Sequence, residues 1–150
     1  MYGDTRFVDH LEFYMLPGIL DELGPPDQVL LETYAEDLPG MLPFRLLLFY
    51  LDQGVSVMYE GNVGREGIQY GPIEDEIVIC PWRSRINLWL WSPADLGNTL
   101  EDILPFIDSQ VGSMNNYLPL EEATDMTIEQ FYASFVHSDD LCFETPASLW

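Results

Sequence analysis

Apolar residues run along this chain in two rhythms, one close to the helical period and one close to the strand period. Phe7, Leu11, Tyr14 and Met15 stand near helical spacing. Pro17-Gly18 interrupts them, and proline suits the first turn of a new helix. The pattern therefore predicts a helix, a break and a short helix from Pro17 to Leu23. Gly24 ends that helix, and Pro25-Pro26 prevents its continuation. The rhythm then changes. Val29 to Tyr34 is short, apolar and partly β-branched, and Phe44 to Leu51 is the clearest strand in the chain. Asp52-Gln53-Gly54 signals a turn and Val55 to Tyr59 returns, so this pair is read as an antiparallel hairpin. Gly61 to Gly67 breaks regular structure. Ile77 to Cys80 and Ile86 to Trp91 read as a second hairpin, joined through Pro81-Trp82-Arg83-Ser84-Arg85.

The strands carry a further signal. In Arg45-Leu46-Leu47-Leu48-Phe49-Tyr50-Leu51 both alternating faces are apolar. In Ile86-Asn87-Leu88-Trp89-Leu90-Trp91 one face carries Ile86, Leu88 and Leu90 and the other carries Trp89 and Trp91. A strand with one wet face would alternate apolar with polar residues. Both faces of this sheet therefore need a cover, and the C-terminal third can supply one. Thr99 can cap a helix with Leu100, Ile103, Leu104 and Ile107 on one stripe. Thr127 and Gln130 have capping-box spacing ahead of Ile128, Phe131, Tyr132 and Phe135. The tail from Leu141 to Trp150 is apolar enough to pack, with Trp150 at least partly buried. The expected fold is α+β: an antiparallel sheet of four or five strands, N-terminal helices on one face and C-terminal helices on the other. It is expected as one domain over residues 1–150, with the sheet core at about 28–92 and the helical cover at about 98–150.

Composition adds charge to this picture. The chain has 150 residues, 47% hydrophobic and 13% aromatic, with 26 acidic residues against five basic ones and a net charge of −21. So many core-forming residues exclude a disordered chain, despite the charge. All five basic residues are arginines: Arg6, Arg45, Arg65, Arg83 and Arg85. The acids spread along the chain, nine in residues 1–50, seven in 51–100 and ten in 101–150, so there is no acidic tail. Direct nucleic-acid binding is disfavoured, because it depends on neutralising phosphates with Lys and Arg. An anionic membrane surface would repel the chain for the same reason. The longest apolar run, Leu46 to Leu51, is too short to span a bilayer. No run resembles a secretory leader, which leaves the compartment open. The acidity is compatible with three roles: solubility, a basic protein partner, or mimicry of a nucleic-acid backbone.

Residues 9–60, extending to 91 at most, resemble small envelope-lipoprotein domains of the BamE (SmpA/OmlA) type and the related β-lactamase-inhibitor-protein repeat. The likeness rests on a helix exit, Leu23-Gly24-Pro25-Pro26-Asp27-Gln28-Val29, leading into a strand. A strand ending in an aromatic and a glycine turn follows, here Leu46 to Leu51 and then Asp52-Gln53-Gly54-Val55. Nothing after residue 92 matches. The resemblance implies a non-enzymatic scaffold or binding domain, often extracytoplasmic, and transfers no catalytic residues.

The chain carries few residues in catalytic arrangements. Of the two histidines, His10 lies beside Asp9 in the first helix, and His137 ends the helix from Thr127, where an imidazolium would suit the negative pole. No Gly-x-Ser-x-Gly elbow occurs. Gly61-x-x-Gly64-x-x-Gly67 lacks the lysine and the helix of a phosphate loop. Glu74-Asp75-Glu76, Glu121-Glu122 with Asp125, and Asp139-Asp140 read as solvated acids, with none of the spacing of a calcium loop. No metal or cofactor site is expected. Cys80 and Cys142 have no metal-type spacing. They are either two buried thiols, the simpler reading, or one disulfide, which would contribute on the order of 4 kcal/mol. The densest unusual constellation is Trp82, Arg83, Arg85, Trp89 and Trp91, residue types enriched at interface hot spots. It is read as a candidate recognition patch. The alternative is that helices cover the tryptophans and the arginines pair with acids.

The expected function is therefore a non-catalytic domain that binds a protein. The alternatives are an acidic inhibitor mimicking nucleic-acid charge and a carboxylate-based hydrolase.

One consequence follows from charge alone. At −21 the chain repels itself, which opposes compaction. Salt shortens the reach of that repulsion from about 30 Å at 0.01 M to about 8 Å at 0.15 M. The melting temperature is expected to rise between about 10 mM and about 500 mM NaCl, measured by circular dichroism at fixed pH. A flat or falling profile would show that the repulsion is already neutralised within the fold.

Overall fold

Pro17 falls in the first turn of helix α1 (Leu16–Leu23), where a missing amide costs nothing. Gly24 closes the helix with φ 81° and donates its N–H to Leu20 O. We describe a computed structural model of the chain over residues 14–33, 43–62, 76–81, 84–111, 116–138 and 141–150. The start of the first predicted helix and His10 lie outside these residues.

Three strands follow: β1 (Gln28–Thr33), β2 (Pro43–Tyr50) and β3 (Val55–Asn62). β2 and β3 form the expected antiparallel hairpin, with Tyr50 opposite Val55. Its turn is a short 3-10 segment, Leu51–Gln53, closed by Gly54 at φ 69° and ψ 43°. Gly54 is needed twice over. That left-handed backbone favours glycine, and a Cβ there would stand 2.0 Å from Trp91 O.

Next come β4 (Glu76–Ile79), β5 (Arg85–Leu90), α2 (Pro93–Leu96), α3 (Leu100–Val111), β6 (Leu118–Pro119), α4 (Leu120–Ala123), α5 (Ile128–Phe135) and β7 (Phe143–Pro146). A last 3-10 turn, Ala147–Leu149, ends the chain's regular structure. Among the described residues the main sheet has five strands in the order β5-β3-β2-β1-β6, antiparallel at every pairing. The fold is thus α+β around an antiparallel sheet.

The expected pairing of residues 77–80 with 86–91 is not formed. β5 instead pairs with β3, Val57 opposite Leu88, and β4 leaves the sheet to pair with β7, Ile79 opposite Phe143. Alternation shows that a segment is a strand, but it does not select the neighbour. Here β3 had a free edge that β5 could take. A disulfide between Cys80 and Cys142, Cα atoms 4.3 Å apart, holds the ends of β4 and β7 together. A two-stranded sheet alone is marginal, and this one also packs its inner residues Ile77, Ile79 and Phe143 into the core.

Both faces of the main sheet are covered. On one face Leu46, Leu48 and Tyr50 of β2 pack with Leu16, Ile19 and Leu20 of α1, Leu120 and Ala123 of α4, and Phe131 and Phe135 of α5. On the other, Leu47, Phe49, Leu30 and Met58 pack with Ile103 and Ile107 of α3. The C-terminal helices therefore divide: α3 covers the face opposite α1, while α5 lies beside α1. Helix α5 has the predicted capping box. Gln130 N donates to Thr127 Oγ1 at 3.1 Å, and Thr127 N donates to Gln130 Oε1 at 2.9 Å. The Phe135 ring meets Phe143 edge-on at 6.0 Å, joining α5 to the small sheet. The tail packs as expected: Trp150 is half-buried and its Nε1 donates to Thr145 Oγ1 at 3.2 Å.

The Cys80–Cys142 bond closes a 62-residue separation. Loop entropy assigns such a bond about 4 kcal/mol, equivalent to roughly 8–16 °C in a domain of this size. Dithiothreitol, or Cys80→Ser with Cys142→Ser, is expected to lower the melting temperature by that amount. An unchanged melt would mean that the rest of the core holds β4 and β7 without it.

Candidate functional site

One row of side chains crosses four strands on the α3 face. Glu32 of β1, Arg45 of β2, Glu60 of β3 and Arg85 of β5 stand directly opposite one another in the register. Charge alternates along the row, the favourable arrangement for cross-strand neighbours. Arg45 Nε donates to Glu60 Oε2 at 2.8 Å, and its Nη1 lies 4.0 Å from Glu32 Oε1. The Glu32 side chain is completely buried. Arg45 also donates from Nη2 to Val111 O at 3.4 Å, so it binds the last carbonyl of α3. A cation there satisfies the negative end of the helix. Burial works against the Arg45 charge, but Glu60, Tyr117 and Glu32 outweigh it and raise the guanidinium pKa. The Asp108 carboxyl on α3 is pushed up by burial, an effect that Arg45 partly offsets. At the other end of α3, Asp102 N donates to Thr99 Oγ1 and Trp91 Nε1 donates to Gly97 O at 3.0 Å. Helix α3 is thus fastened to the sheet at both ends.

These contacts decide where the predicted patch residues go. Trp89 and Trp91 are half-buried and pack into the cluster beneath α3. Arg85 is exposed and reaches Glu60 Oε1 at 3.8 Å. Trp82 and Arg83 lie outside the described residues. Arg85, Trp89 and Trp91 share one face of β5, but the two indoles are bound up with α3 and only Arg85 stands fully in solvent.

The opposite face of β5 carries the feature that sequence reasoning missed. Ile86 is half-buried, Leu88 is 39% exposed and Leu90 is 69% exposed. The sequence marks them as an apolar face requiring a cover. The cover thins out on this face of β5, which is last in the sheet among the described residues. Sheet position is a property of strand order, which the local pattern does not carry. An exposed apolar edge strand is where further strands add.

A second concave feature lies at the far side, between α4, α5 and the small sheet. This groove, about 620 Å³, is lined by Glu76, Glu121, Glu122, Asp125 and Glu144 among other residues. All five carboxylates are exposed. A two-carboxylate hydrolase sets its acid and base in unlike surroundings, and these share one open, solvated rim. No group of three or more metal-type side chains comes together among the described residues. Among those residues no helix is long and apolar enough to cross a membrane.

No family model, curated protein or solved structure matches this chain.

The charge row has a measurable weight. Replacing Arg45 with Met leaves Glu32 buried beside an apolar chain and frees the α3 carboxyl end. Breaking a fully buried pair costs about 3 kcal/mol, and with the arginine 24% exposed the loss here is expected to be smaller. The Arg45→Met, Glu32→Met double variant is expected to recover part of that loss, because it removes the buried charge as well. Urea melts of the three proteins check this. A double variant no better than the single one would assign the loss to α3 alone.

Proposed function

We propose that this chain is a non-catalytic interaction domain whose partner is a protein. The observation that carries the reading is the edge of β5, where Leu88 and Leu90 stand in solvent on the rim of an otherwise covered sheet. Apolar side chains gathered at one surface and rimmed by polar residues mark interaction sites more often than scattered ones do. The resemblance of residues 9–60 to envelope binding domains points the same way. The disulfide favours an oxidising compartment as the place of action.

Phosphate mimicry draws less support. The described acids sit on both sides of the sheet, Asp21 and Glu22 on α1 and Glu101 and Asp102 on α3, and do not form one row. A carboxylate hydrolase draws on the groove beside α4 and α5. Hydrolysis of model glycosides or esters that Glu122→Gln abolishes would favour that reading.

The test of the interaction reading is isolation of the tagged full chain from its native cells after in-cell crosslinking. A protein partner in near-stoichiometric amount is expected, and it should rebind the purified chain. Recovery of the chain alone, crosslinked only to itself or to nothing, would sink the reading.

A further inference from the structure

Resting on that reading, we propose that the outer edge of β5 receives an extended cationic segment of the partner as a sixth strand.

The backbone register carries the first half of the argument. Trp91 N donates to Gly54 O at 2.9 Å, and the ladder continues with Leu90 opposite Val55 and Leu88 opposite Val57. Antiparallel pairing turns alternate residues toward the neighbour. Trp91, Trp89, Asn87 and Arg85 therefore direct their N–H and C=O groups to β3. Ile86, Leu88 and Leu90 direct theirs to the outer edge. Two of these three residues also expose their side chains. Backbone donors, acceptors and apolar anchors thus belong to the same positions, which is what an added strand uses: main-chain hydrogen bonds for affinity and alternate side chains for selectivity. Edge strands are usually blunted by proline, bulges or several charges. β5 has six residues, no proline and a single charge, Arg85 at its first position.

Charge selects the occupant. The chain carries −21, so a second copy or a nucleic acid would arrive against a strong field of like sign. Among the described residues Arg45 and Arg85 are the arginines. Arg45 is tied into the row beneath α3, and Arg85 lies at the far end of the edge from Leu90. The Leu90 end is anionic. Asp52 lies in the turn that β5 leads to, held by Asn98 Nδ2 at 2.9 Å, and α2, which bears Asp95, packs on that turn. Both carboxylates are exposed. The fitting segment alternates apolar residues, set beside Leu88 and Leu90, with Arg or Lys on the Trp89 face. Its cations lie toward the Asp52–Asp95 end.

The probes are two capped synthetic peptides of equal charge, one alternating Arg with Val and one alternating Arg with Pro. Proline has no amide to donate, so the second cannot add as a strand. Binding is read by titration calorimetry and by amide shifts of residues 86–90. The Arg-Val peptide is expected to bind at least tenfold more tightly than the Arg-Pro peptide. Leu90→Pro deletes an outward amide without touching the β3 ladder and is expected to weaken binding tenfold. Leu90→Asp keeps the amide and supplies a second check at a solvent-exposed position. Docking predicts weaker binding to Leu90→Asp. Diffuse attraction to a polyanion predicts stronger binding, because a carboxylate is added. Equal binding of the two peptides, or tighter binding by Leu90→Asp, overturns the proposal. So does a dimer in high salt that Leu90→Asp dissolves, since that makes a second copy the occupant. Absence of any peptide binding overturns it too, yet leaves the broader reading standing if a crosslinked partner has been found.

Discussion

The burial of β2 on both faces is the constraint on which the remaining structure depends. Leu46, Leu47, Leu48 and Phe49 are all fully removed from solvent. Consecutive residues of a strand point to opposite faces, so no single layer could bury all four. Two layers are required, and the chain spends its helices on supplying them. Among the described helices, α1, α4 and α5 share one face with the small sheet, and α3 packs on the other. Each buried leucine contributes roughly 1.5–3 kcal/mol, so the hairpin of β2 and β3 is the part of the molecule that other elements are recruited to cover.

A helix on one face needs fastening as well as apolar contact. Ile103 and Ile107 hold the middle of α3, while Trp91 and Arg45 hold its ends. Arg45 does more than close the helix. It stands between two glutamates in the sheet, one of them buried, and so ties charge balance in β1, β2 and β3 to the seating of α3. The two tryptophans that look like a recognition patch are part of the same arrangement. Their indoles fill the space under α3, and Trp91 supplies one of its fastenings.

The same geometry explains why β5 has two unlike faces. Under α3 it contributes to a packed layer. On the α1 side the cover lies over β1, β2 and β3 and thins toward the margin, so Leu88 and Leu90 remain in solvent. An edge of this kind would ordinarily invite self-association. Here each molecule carries −21, and mutual repulsion opposes the approach of a second copy. The acidity that first reads as a general surface property thereby acquires a local consequence: it protects an open strand from its own kind while favouring a cationic segment.

Local chemistry was legible in the sequence wherever neighbours along the chain settle the outcome. The glycine exit of α1, the tight turn at Gly54, the capping box at Thr127 and the two-sided burial of β2 depend on residues within a few positions of one another. The α+β class and the packing of the C-terminal tail follow from the same patterns. Other features depend on which distant segment arrives alongside. Only the tertiary structure decided that β4 pairs with β7 and is bonded through Cys142, that β5 ends the sheet, and that α5 joins α1 while α3 lies opposite. The apolar pattern of β5 is the same whether the strand lies in the middle of a sheet or at its margin. The placing of the helices decided that Trp89 would be half-buried under α3 and Leu90 on the opposite face left in water, because burial belongs to the assembled layers and alternation only to the strand.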